Sequence, residues 1–215
     1  MQNMLINSVK KHVVEIGNQI YHHGLAPGKS GNISAKIPYD KSKTPYDTSA
    51  EIPYDSRYII LITPSGVSLK DISMENIIAM DMDGNQLEGH GRPSSELPMH
   101  REIYQKRGDL RGIVHTHSPY ATGFSFSGKK IPRLEGFGKI ENPYITEMDY
   151  APPGSKKLAE LAGQALLKEN VVILKNHGVL AVGSNLDEAA LLAEFTESSA
   201  KTDFIARMIK TTNDH

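Results

Sequence analysis

The chain has 215 residues and a mass of 23.7 kDa, which is the size of one domain with a core large enough to fold without disulfides. Its 24 Lys and Arg residues against 25 Asp and Glu residues leave a net charge of −1, so it lacks the cationic surplus typical of proteins that bind nucleic acid. Because it contains no cysteine, thiolate metal sites are excluded, and any transition metal must be held by His and carboxylate side chains.

The first half of the chain predicts one helix followed by strands. Apolar residues at helical spacing predict a helix over 3–23, and Gly24 is suited to end it. A turn rich in Gly, Pro and Ser follows over 26–32. Short apolar runs then predict strands over 33–37, 58–63 and 76–82. The last of these strands ends at Asp83-Gly84, which is a hairpin signal.

Residues 38–56 differ in composition from the rest of the chain. They repeat the pattern Pro-Tyr-Asp three times, at 38–40, 45–47 and 53–55. Proline in this density is poorly suited to a regular sheet because it lacks the backbone N–H that a strand donates. We therefore expect 38–56 to be a surface insertion within a single domain that spans 1–215.

The second half of the chain alternates helices and strands. Ser and Glu at the start and Gly108 past the end predict a helix over 95–105. Further helices are predicted over 121–126, 156–168 and 186–209. Further strands are predicted over 112–117, 171–175 and 179–182. Because the elements form hairpin-like pairs without a regular βαβ period, the sequence predicts an α/β fold of α+β character with a mixed sheet.

The sharpest local feature is the motif His115-Thr116-His117. Side chains two residues apart on an extended segment point to the same face, so both imidazoles can reach one point in space. Two imidazoles placed in this way suit a divalent cation such as zinc, and a catalytic zinc site needs a third protein ligand and an open position. His177, in a turn between two predicted strands, could supply the third ligand. Without a metal, the three histidines would be ordinary polar residues of a strand end and a turn.

Glu96 lies in the segment Pro93-Ser94-Ser95-Glu96, at the predicted start of a helix. A carboxylate at this position can simply complement the helix dipole, or it can serve as a metal ligand or as a general base beside the metal. A helix start also attracts anions through its free backbone N–H groups. The turns at 30–32 and 65–66 offer similar small and hydroxyl-bearing residues. Together with the His-Thr-His motif, these turns predict a combined phosphate and metal site.

Six segments, taken in chain order, resemble the class II aldolase/adducin family. They are GKSGNIS (28–34), ITPSGV (62–67), PSSELPMH (93–100), IVHTHSPYAT (113–122), APPGSKKLAE (151–160) and KNHGVLAVG (175–183). The match spans nearly the whole chain outside the insertion at 38–56. This resemblance implies a mixed, mainly antiparallel central sheet covered by helices.

The resemblance also implies a role for each matching position. Three histidines match the zinc ligands of the family: His115, His117 and His177. Glu96 matches a carboxylate that acts as acid and base and can also be a ligand of the metal while no substrate is bound. The residues that would hold the substrate phosphate are Asn32, Ser65, Gly66, Ser94 and Ser95, flanked by Lys29 and Gly31.

The implied reaction is the zinc-dependent aldol cleavage of a ketose 1-phosphate, such as L-fuculose 1-phosphate, to dihydroxyacetone phosphate and an aldehyde. The implied assembly is a C4-type homotetramer with active sites at subunit interfaces, where a tyrosine of the neighbouring subunit donates a proton. Counting onward from His117 leads to 135–137, which reads Glu-Gly-Phe, so the chain departs from the family pattern here. Tyr120, Tyr144 and Tyr150 remain as candidates for the donor.

Three other functions stay open within the same resemblance. An L-ribulose-5-phosphate 4-epimerase shares the retro-aldol step, but that branch typically has Asp where this chain has Glu96. A methylthioribulose-1-phosphate dehydratase shares the sequence at 115–118 but usually differs after its His-Gly, where this chain reads VLAVG (179–183). A non-catalytic adducin-like domain loses the histidines that this chain retains. We expect a cytoplasmic protein with no membrane partner, because apolar runs such as 58–63 are far too short to cross a bilayer and no signal-peptide pattern is present.

Overall fold

The computed structural model describes residues 2–40, 58–134 and 142–213. Most of the insertion predicted over 38–56 lies outside the described residues, and so does the segment 135–137. Within the described part, five helices and eight strands follow one another in an order close to the one that the sequence predicts.

The helices are α1 (Gln2–His22), α2 (Leu97–Lys106), α3 (Pro119–Ser127), α4 (Lys156–Ala165) and α5 (Leu186–Asn213). The strands are β1 (Asn32–Pro38), β2 (Tyr58–Ile62), β3 (Ile78–Asp81), β4 (Gln86–Glu88), β5 (Gly112–Thr116), β6 (Thr146–Met148), β7 (Val171–Leu174) and β8 (Gly178–Gly183). Local signals explain several ends. The hydroxyl of Ser155 caps α4 by accepting a hydrogen bond from the backbone N–H of Leu158, and α3 ends at Gly128 in the left-handed conformation.

All eight strands belong to one sheet in the order β4-β3-β2-β1-β5-β8-β7-β6. Neighbouring strands are antiparallel except for β6 and β7, which are parallel, and this confirms the expected mixed, mainly antiparallel sheet. The register places Asn32 of β1 opposite His115 of β5, and Thr116 of β5 opposite Val179 of β8. Three separate parts of the chain therefore meet at one end of the central strands.

Helices cover both faces of the sheet. One apolar core includes Val13 of α1 and Ala193 of α5, and a second core on the other face includes Ile103 of α2 and Leu158 of α4. Burial of each larger apolar side chain contributes roughly 1.5–3 kcal/mol. The central strands are thus held between two cores, and their ends form a firm base for functional side chains.

A few elements differ from the sequence-based expectation. The strands β4 and β6 have three residues each, which is too short for an alternating pattern to stand out. Helix α2 begins at Leu97 rather than at 95, so Ser94, Ser95 and Glu96 precede it. Helix α4 ends before 168, and α5 continues past 209. In the described part of the chain, no helix has the length and apolar character that a membrane crossing requires.

Candidate active site

Three histidines come together at one end of the central strands. His115 is on β5, His117 follows the end of that strand, and His177 lies in the turn between β7 and β8. A ligand nitrogen of each ring lies within 4.8 Å of the other two, and the ring centroids are 4.8 to 4.9 Å apart. The structure thus brings the three predicted metal ligands together, and their binding of a metal remains a prediction.

The backbone of β8 orients the ring of His115. The Nδ1–H group of His115 donates to the carbonyl oxygen of Val179 at 2.8 Å, which leaves the lone pair of Nε2 free. That Nε2 atom lies 3.1 Å from Nε2 of His117. A histidine that binds a metal through one nitrogen commonly donates its other N–H to a carbonyl or a carboxylate. His115 therefore has the orientation of a ligand before any metal is considered.

Glu96 occupies the N-cap position of α2, but its side chain makes no capping hydrogen bond. Its carboxylate turns toward the histidines instead. Its Oε2 atom is 3.1 Å from Nε2 of His115, and its Oε1 atom is 3.6 Å from Nε2 of His177. Only 4% of the surface of Glu96 is exposed, so its carboxylate is shielded from water. A carboxylate that only complemented the helix dipole would not need to turn toward the histidines in this way.

The donor set fits a divalent metal ion. Two buried atoms of the cluster, Oε1 of Glu96 and Nδ1 of His177, have no hydrogen-bond partner among the residues that the structure describes. A buried polar atom without a partner costs about 1–3 kcal/mol, and a bound cation reduces such a cost where it engages the atom. Three imidazoles and a carboxylate form a ligand set that zinc and similar divalent ions accept.

Two of the imidazoles, those of His117 and His177, are held in their neutral form. Burial lowers the pKa of His117 to about 3 and that of His177 to about 4, and the nearby His115 lowers both further. Burial alone raises the pKa of Glu96, but His115, His177 and a hydrogen bond from Asn32 together outweigh it, so this pKa lies below its ordinary value. Neutral imidazole and ionised carboxylate are the protonation states that bind a metal.

A cavity of about 250 Å³ opens beside the histidines. Glu96, His117 and His177 line it. The same cavity is lined by all of the residues predicted to hold a phosphate, namely Lys29, Gly31, Asn32, Ser65, Gly66, Ser94 and Ser95. The structure thus brings the predicted phosphate residues next to the predicted metal ligands, and their contact with a phosphate remains a prediction.

Backbone contacts tie the turns of this cavity to the sheet. The N–H of Ser94 donates to the carbonyl of Thr63 at 3.1 Å, and the N–H of Ser65 donates to the carbonyl of Arg92 at 2.9 Å. Gly31 has a φ of +75°, and a Cβ atom there would lie only 2.8 Å from the carbonyl oxygen of His115. Glycine is therefore required at 31 for the turn to pass so close to the strand that carries the histidines.

A row of buried polar side chains joins β1 to α2 next to the cavity. We call it the polar ladder, and its members are Asn32, Ser34, Lys36, His100 and Tyr104. Atom Oδ1 of Asn32 lies 2.7 Å from Nε2 of His100, and Nδ2 of Asn32 donates to Oε2 of Glu96 at 3.2 Å. Ser34 Oγ lies 2.7 Å from Nδ1 of His100 and 3.0 Å from the Tyr104 hydroxyl.

Four members of the polar ladder are not predicted as site residues from the sequence: Ser34, Lys36, His100 and Tyr104. Burial lowers the pKa of His100 to about 3, so its ring is neutral. A signal for these residues exists, because polar residues at 32, 34 and 36 share one face of a strand, and those at 96, 100 and 104 share one face of a helix. The sequence does not indicate that these two faces meet, because their contact arises only in the folded protein.

No tyrosine lines the cavity among the described residues. The half-buried ring of Tyr120 packs against Phe204, with 5.6 Å between centroids. Tyr144 and Tyr150 are exposed to 42% and 51%. None of the three candidate proton donors is therefore part of the cavity wall formed by one chain.

Comparison with known proteins agrees with this geometry. The family model described as "Class II Aldolase and Adducin N-terminal domain" matches residues 11–204. An L-fuculose phosphate aldolase of Methanocaldococcus jannaschii is 35% identical over 201 residues, which cover 94% of this chain and 98% of the relative. A 3-oxo-tetronate 4-phosphate decarboxylase of Haemophilus influenzae is 33% identical over 200 residues, covering 91% of this chain and 86% of the relative. A solved structure of an L-fuculose 1-phosphate aldolase matches with a TM-score of 0.77 and 31% identity, covering 94% of this chain and 87% of that one.

Proposed function

This chain belongs to the class II aldolase and adducin family and is a metal-dependent lyase, and on this basis we propose that it cleaves a ketose 1-phosphate, resembling L-fuculose 1-phosphate, reversibly into dihydroxyacetone phosphate and an aldehyde. One observation carries the proposal: the His cluster, Glu96 and seven residues suited to bind a phosphate line or adjoin the same cavity. A ketose 1-phosphate has its phosphate one carbon away from the keto group, so a site of this kind can engage both ends of the molecule.

We propose zinc as the metal, held by His115, His117 and His177. Bound zinc would act as a Lewis acid that stabilises the negative charge developing on the substrate oxygen as the C3–C4 bond breaks. The protein's part is to keep the three imidazoles converging and those of His117 and His177 neutral. The hydrogen bond from His115 to Val179 and the lowered pKa values of His117 and His177 support this role.

Glu96 is the proposed acid and base. Cleavage between C3 and C4 leaves an enediolate on the three-carbon half, and C3 of this enediolate must receive a proton before dihydroxyacetone phosphate can leave. The carboxyl group of Glu96 lies beside the histidines and is shielded from water, so it can deliver this proton in cleavage and remove it in synthesis.

The phosphate residues would bind and orient the substrate. The ammonium group of Lys29 and the hydroxyl groups of Ser65, Ser94 and Ser95 can donate to phosphate oxygens. Binding energy from this end, remote from the bond that breaks, fixes the keto group against the metal site and makes cleavage effectively unimolecular.

We propose that the enzyme is a homotetramer with a neighbouring subunit at each active site. The absence of a tyrosine from the described cavity wall supports this assembly, because the proposed chemistry needs a group that accepts the proton of the C4 hydroxyl in cleavage and returns it to the aldehyde oxygen in synthesis. A second feature supports it too. An apolar groove of about 450 Å³ between α3 and α5 is lined by Phe124, Phe204 and Met208, and exposed apolar surface of this kind is typical of subunit contacts.

The test is a coupled assay for dihydroxyacetone phosphate released from a panel of ketose 1-phosphates that includes L-fuculose 1-phosphate. Release that a chelator abolishes and added Zn²⁺ restores would support the proposal, and the panel would rank the substrates. A protein that retains metal but releases nothing from any ketose 1-phosphate would contradict it, and epimerase and dehydratase substrates would then be tried.

Decarboxylation of a 3-oxo acid phosphate is the second candidate. The 33% identity to a 3-oxo-tetronate 4-phosphate decarboxylase favours it, and the chemistry is related, because loss of CO₂ from a 3-oxo acid also leaves an enediolate. Measurement of CO₂ from 3-oxo-tetronate 4-phosphate, beside the release of dihydroxyacetone phosphate from the panel, decides between the two reactions.

A further inference from the structure

Asn32 connects the polar ladder to the proposed acid and base. Its Nδ2 atom donates to Oε2 of Glu96 at 3.2 Å, and its Oδ1 atom is 2.7 Å from Nε2 of His100. An ionised carboxylate can only accept hydrogen bonds. Asn32 must therefore turn its NH₂ group toward Glu96 and its carbonyl oxygen toward His100.

The direction of the next bonds follows from that orientation. Because the amide oxygen of Asn32 only accepts, Nε2 of His100 carries the proton, and Nδ1 is left with a lone pair. The hydroxyl of Ser34, 2.7 Å from this Nδ1, donates to it. The Tyr104 hydroxyl donates in turn to the carbonyl oxygen of Ser34 at 3.0 Å. Every polar atom of the wholly buried His100 ring is satisfied in this one arrangement.

We propose that His100 is a positioning residue, whose Nε2–H group locks the Asn32 amide so that Asn32 holds Oε2 of Glu96 and leaves Oε1 free to exchange the substrate proton. The two carboxylate oxygens differ accordingly. Oε2 has both Asn32 and His115 within 3.2 Å, whereas Oε1 has no hydrogen-bond partner among the described residues. The inference rests on the proposed role of Glu96 and adds the residue that keeps it in place.

Loss of the His100 N–H would free the amide of Asn32 to rotate. The amide oxygen could then turn toward the carboxylate of Glu96 and toward the phosphate group of a bound substrate. Both groups are anionic and would repel it. Asn32 lines that cavity, so a rotated amide would disturb the proton-transfer group and the bound substrate together. A ring that only fills space next to β1 would have no such effect.

Three substitutions separate the N–H group from the bulk of the ring. In His100→Gln the amide nitrogen can reach the position of Nε2, whereas in His100→Asn it reaches only that of Nδ1, and His100→Phe keeps the ring without a donor. We expect the Gln variant to keep kcat within roughly 5-fold of wild type, and the Asn and Phe variants to lose about 100-fold, as misplaced catalytic groups do. Tyr104→Phe, the matched control from the far end of the ladder, should stay within about 3-fold.

A double-mutant cycle tests whether His100 acts through Asn32. In an Asn32→Ala background there is no amide to orient, so His100→Phe should lower kcat no further. Effects that multiply in the double variant would overturn the proposal, and so would a Gln variant as slow as the Asn variant. Should the Phe variant fail to fold, the Asn and Gln variants still decide, because their polarity is the same.

A spectroscopic readout does not depend on activity. In protein labelled with ¹⁵N-histidine, His100 should give the neutral Nε2–H signature, assigned by its absence from the Gln variant. The side-chain NH₂ of Asn32 should exchange slowly with solvent in wild type and His100→Gln and rapidly in His100→Phe. An Nδ1–H ring, or unchanged Asn32 exchange in the Phe variant, would overturn the inference. Slow exchange in a wild type that releases no dihydroxyacetone phosphate would instead count against the proposed function alone.

Discussion

The Nδ1–H group of His115 and the carbonyl oxygen of Val179 form a hydrogen bond of 2.8 Å between β5 and β8. The bond fixes which nitrogen of the ring faces His117 and Glu96. It also connects His115 with the strand that begins directly after His177, so the two segments that carry the proposed metal ligands hold each other in place. The geometry of the histidine cluster is therefore a property of the sheet as much as of the imidazoles.

Replacement of His177 by Ala should abolish zinc retention, because only two of the three imidazoles proposed to hold the metal remain. The measurement is metal content per chain by mass spectrometry after dialysis against a weak chelator. His22→Ala is the control, since His22 lies on α1, where its ring is hydrogen-bonded to the backbone of Asn18 and packs edge-on against Tyr21. Full zinc occupancy in the His177 variant would contradict the assignment.

Replacement of Glu96 by Gln should leave zinc bound and lower turnover by about 100-fold or more, which is what a general acid and base commonly contributes. Glutamine keeps the size of the side chain and one oxygen donor but cannot exchange a proton. Metal content and kcat are measured on the same preparation. If kcat is unchanged, Glu96 has no part in proton transfer.

Replacement of Lys29 by Ala should raise KM for a phosphorylated substrate roughly 10-fold and leave kcat within about 2-fold, because a contact made equally in ground and transition state affects binding alone. Inorganic phosphate should compete with substrate for the wild type and more weakly for the variant. Lys11→Ala is the control, as Lys11 is exposed on α1 and pairs with Glu15. An unaltered KM in the Lys29 variant would remove Lys29 from the phosphate site.

The metal-free protein should lose stability on acidification through the titration of His100. In the folded state its pKa is lowered to about 3 by burial, whereas a histidine in the unfolded chain has a pKa of about 6.5. Between these values the unfolded state binds one more proton than the folded state, so stability rises with pH by up to about 1.4 kcal/mol per pH unit. His117 and His177, whose pKa values are also lowered, contribute slopes of the same sign, so His100→Gln should reduce the total slope by up to this amount, measured by chemical denaturation at pH 4.5 to 7. Equal slopes in the two proteins would show that His100 does not bind a proton on unfolding.

Replacement of Gly178 by Ala should destabilise the protein by at least about 1–3 kcal/mol, as overpacking does, and should weaken metal retention. A Cβ atom at this position would overlap the carbonyl oxygen of Thr116, which pushes β8 away from β5 and carries His177 with it. Gly108→Ala serves as the control because an added Cβ there has no atom within 4 Å. If both variants unfold at the same denaturant concentration, the strands accommodate the added methyl group without cost, which would contradict the prediction.

The sequence predicted the elements of this fold better than their arrangement. Helical spacing located α1 and α5, and short apolar runs located β2, β7 and β8, because these patterns need only local information. The pairing of β1 with β5 could not be read from the chain. It depends on residues more than 75 positions apart that have no periodic relationship, such as Asn32 and His115.

The sequence predicted those residues of the candidate site that belong to short motifs. His115 and His117 share one face of an extended segment, and this pattern is visible in the sequence alone. His100 belongs to no such motif, because a single histidine on an amphipathic helix cannot be distinguished from any other polar residue of that helix. Its function depends on Asn32, which arrives from another strand, so only the assembled fold reveals it.

The cavity wall has two kinds of residue, and the difference matters for altering substrate choice. Lys29, Ser65 and Ser95 are exposed and belong to turns, so substitutions at these positions would change recognition of the phosphate end of the substrate at little risk to folding. Asn32 belongs to the polar ladder and Glu96 is hydrogen-bonded to it, so a change at either one affects β1 and α2 as well. A search for altered selectivity at the phosphate end should therefore vary the turns and keep the ladder constant.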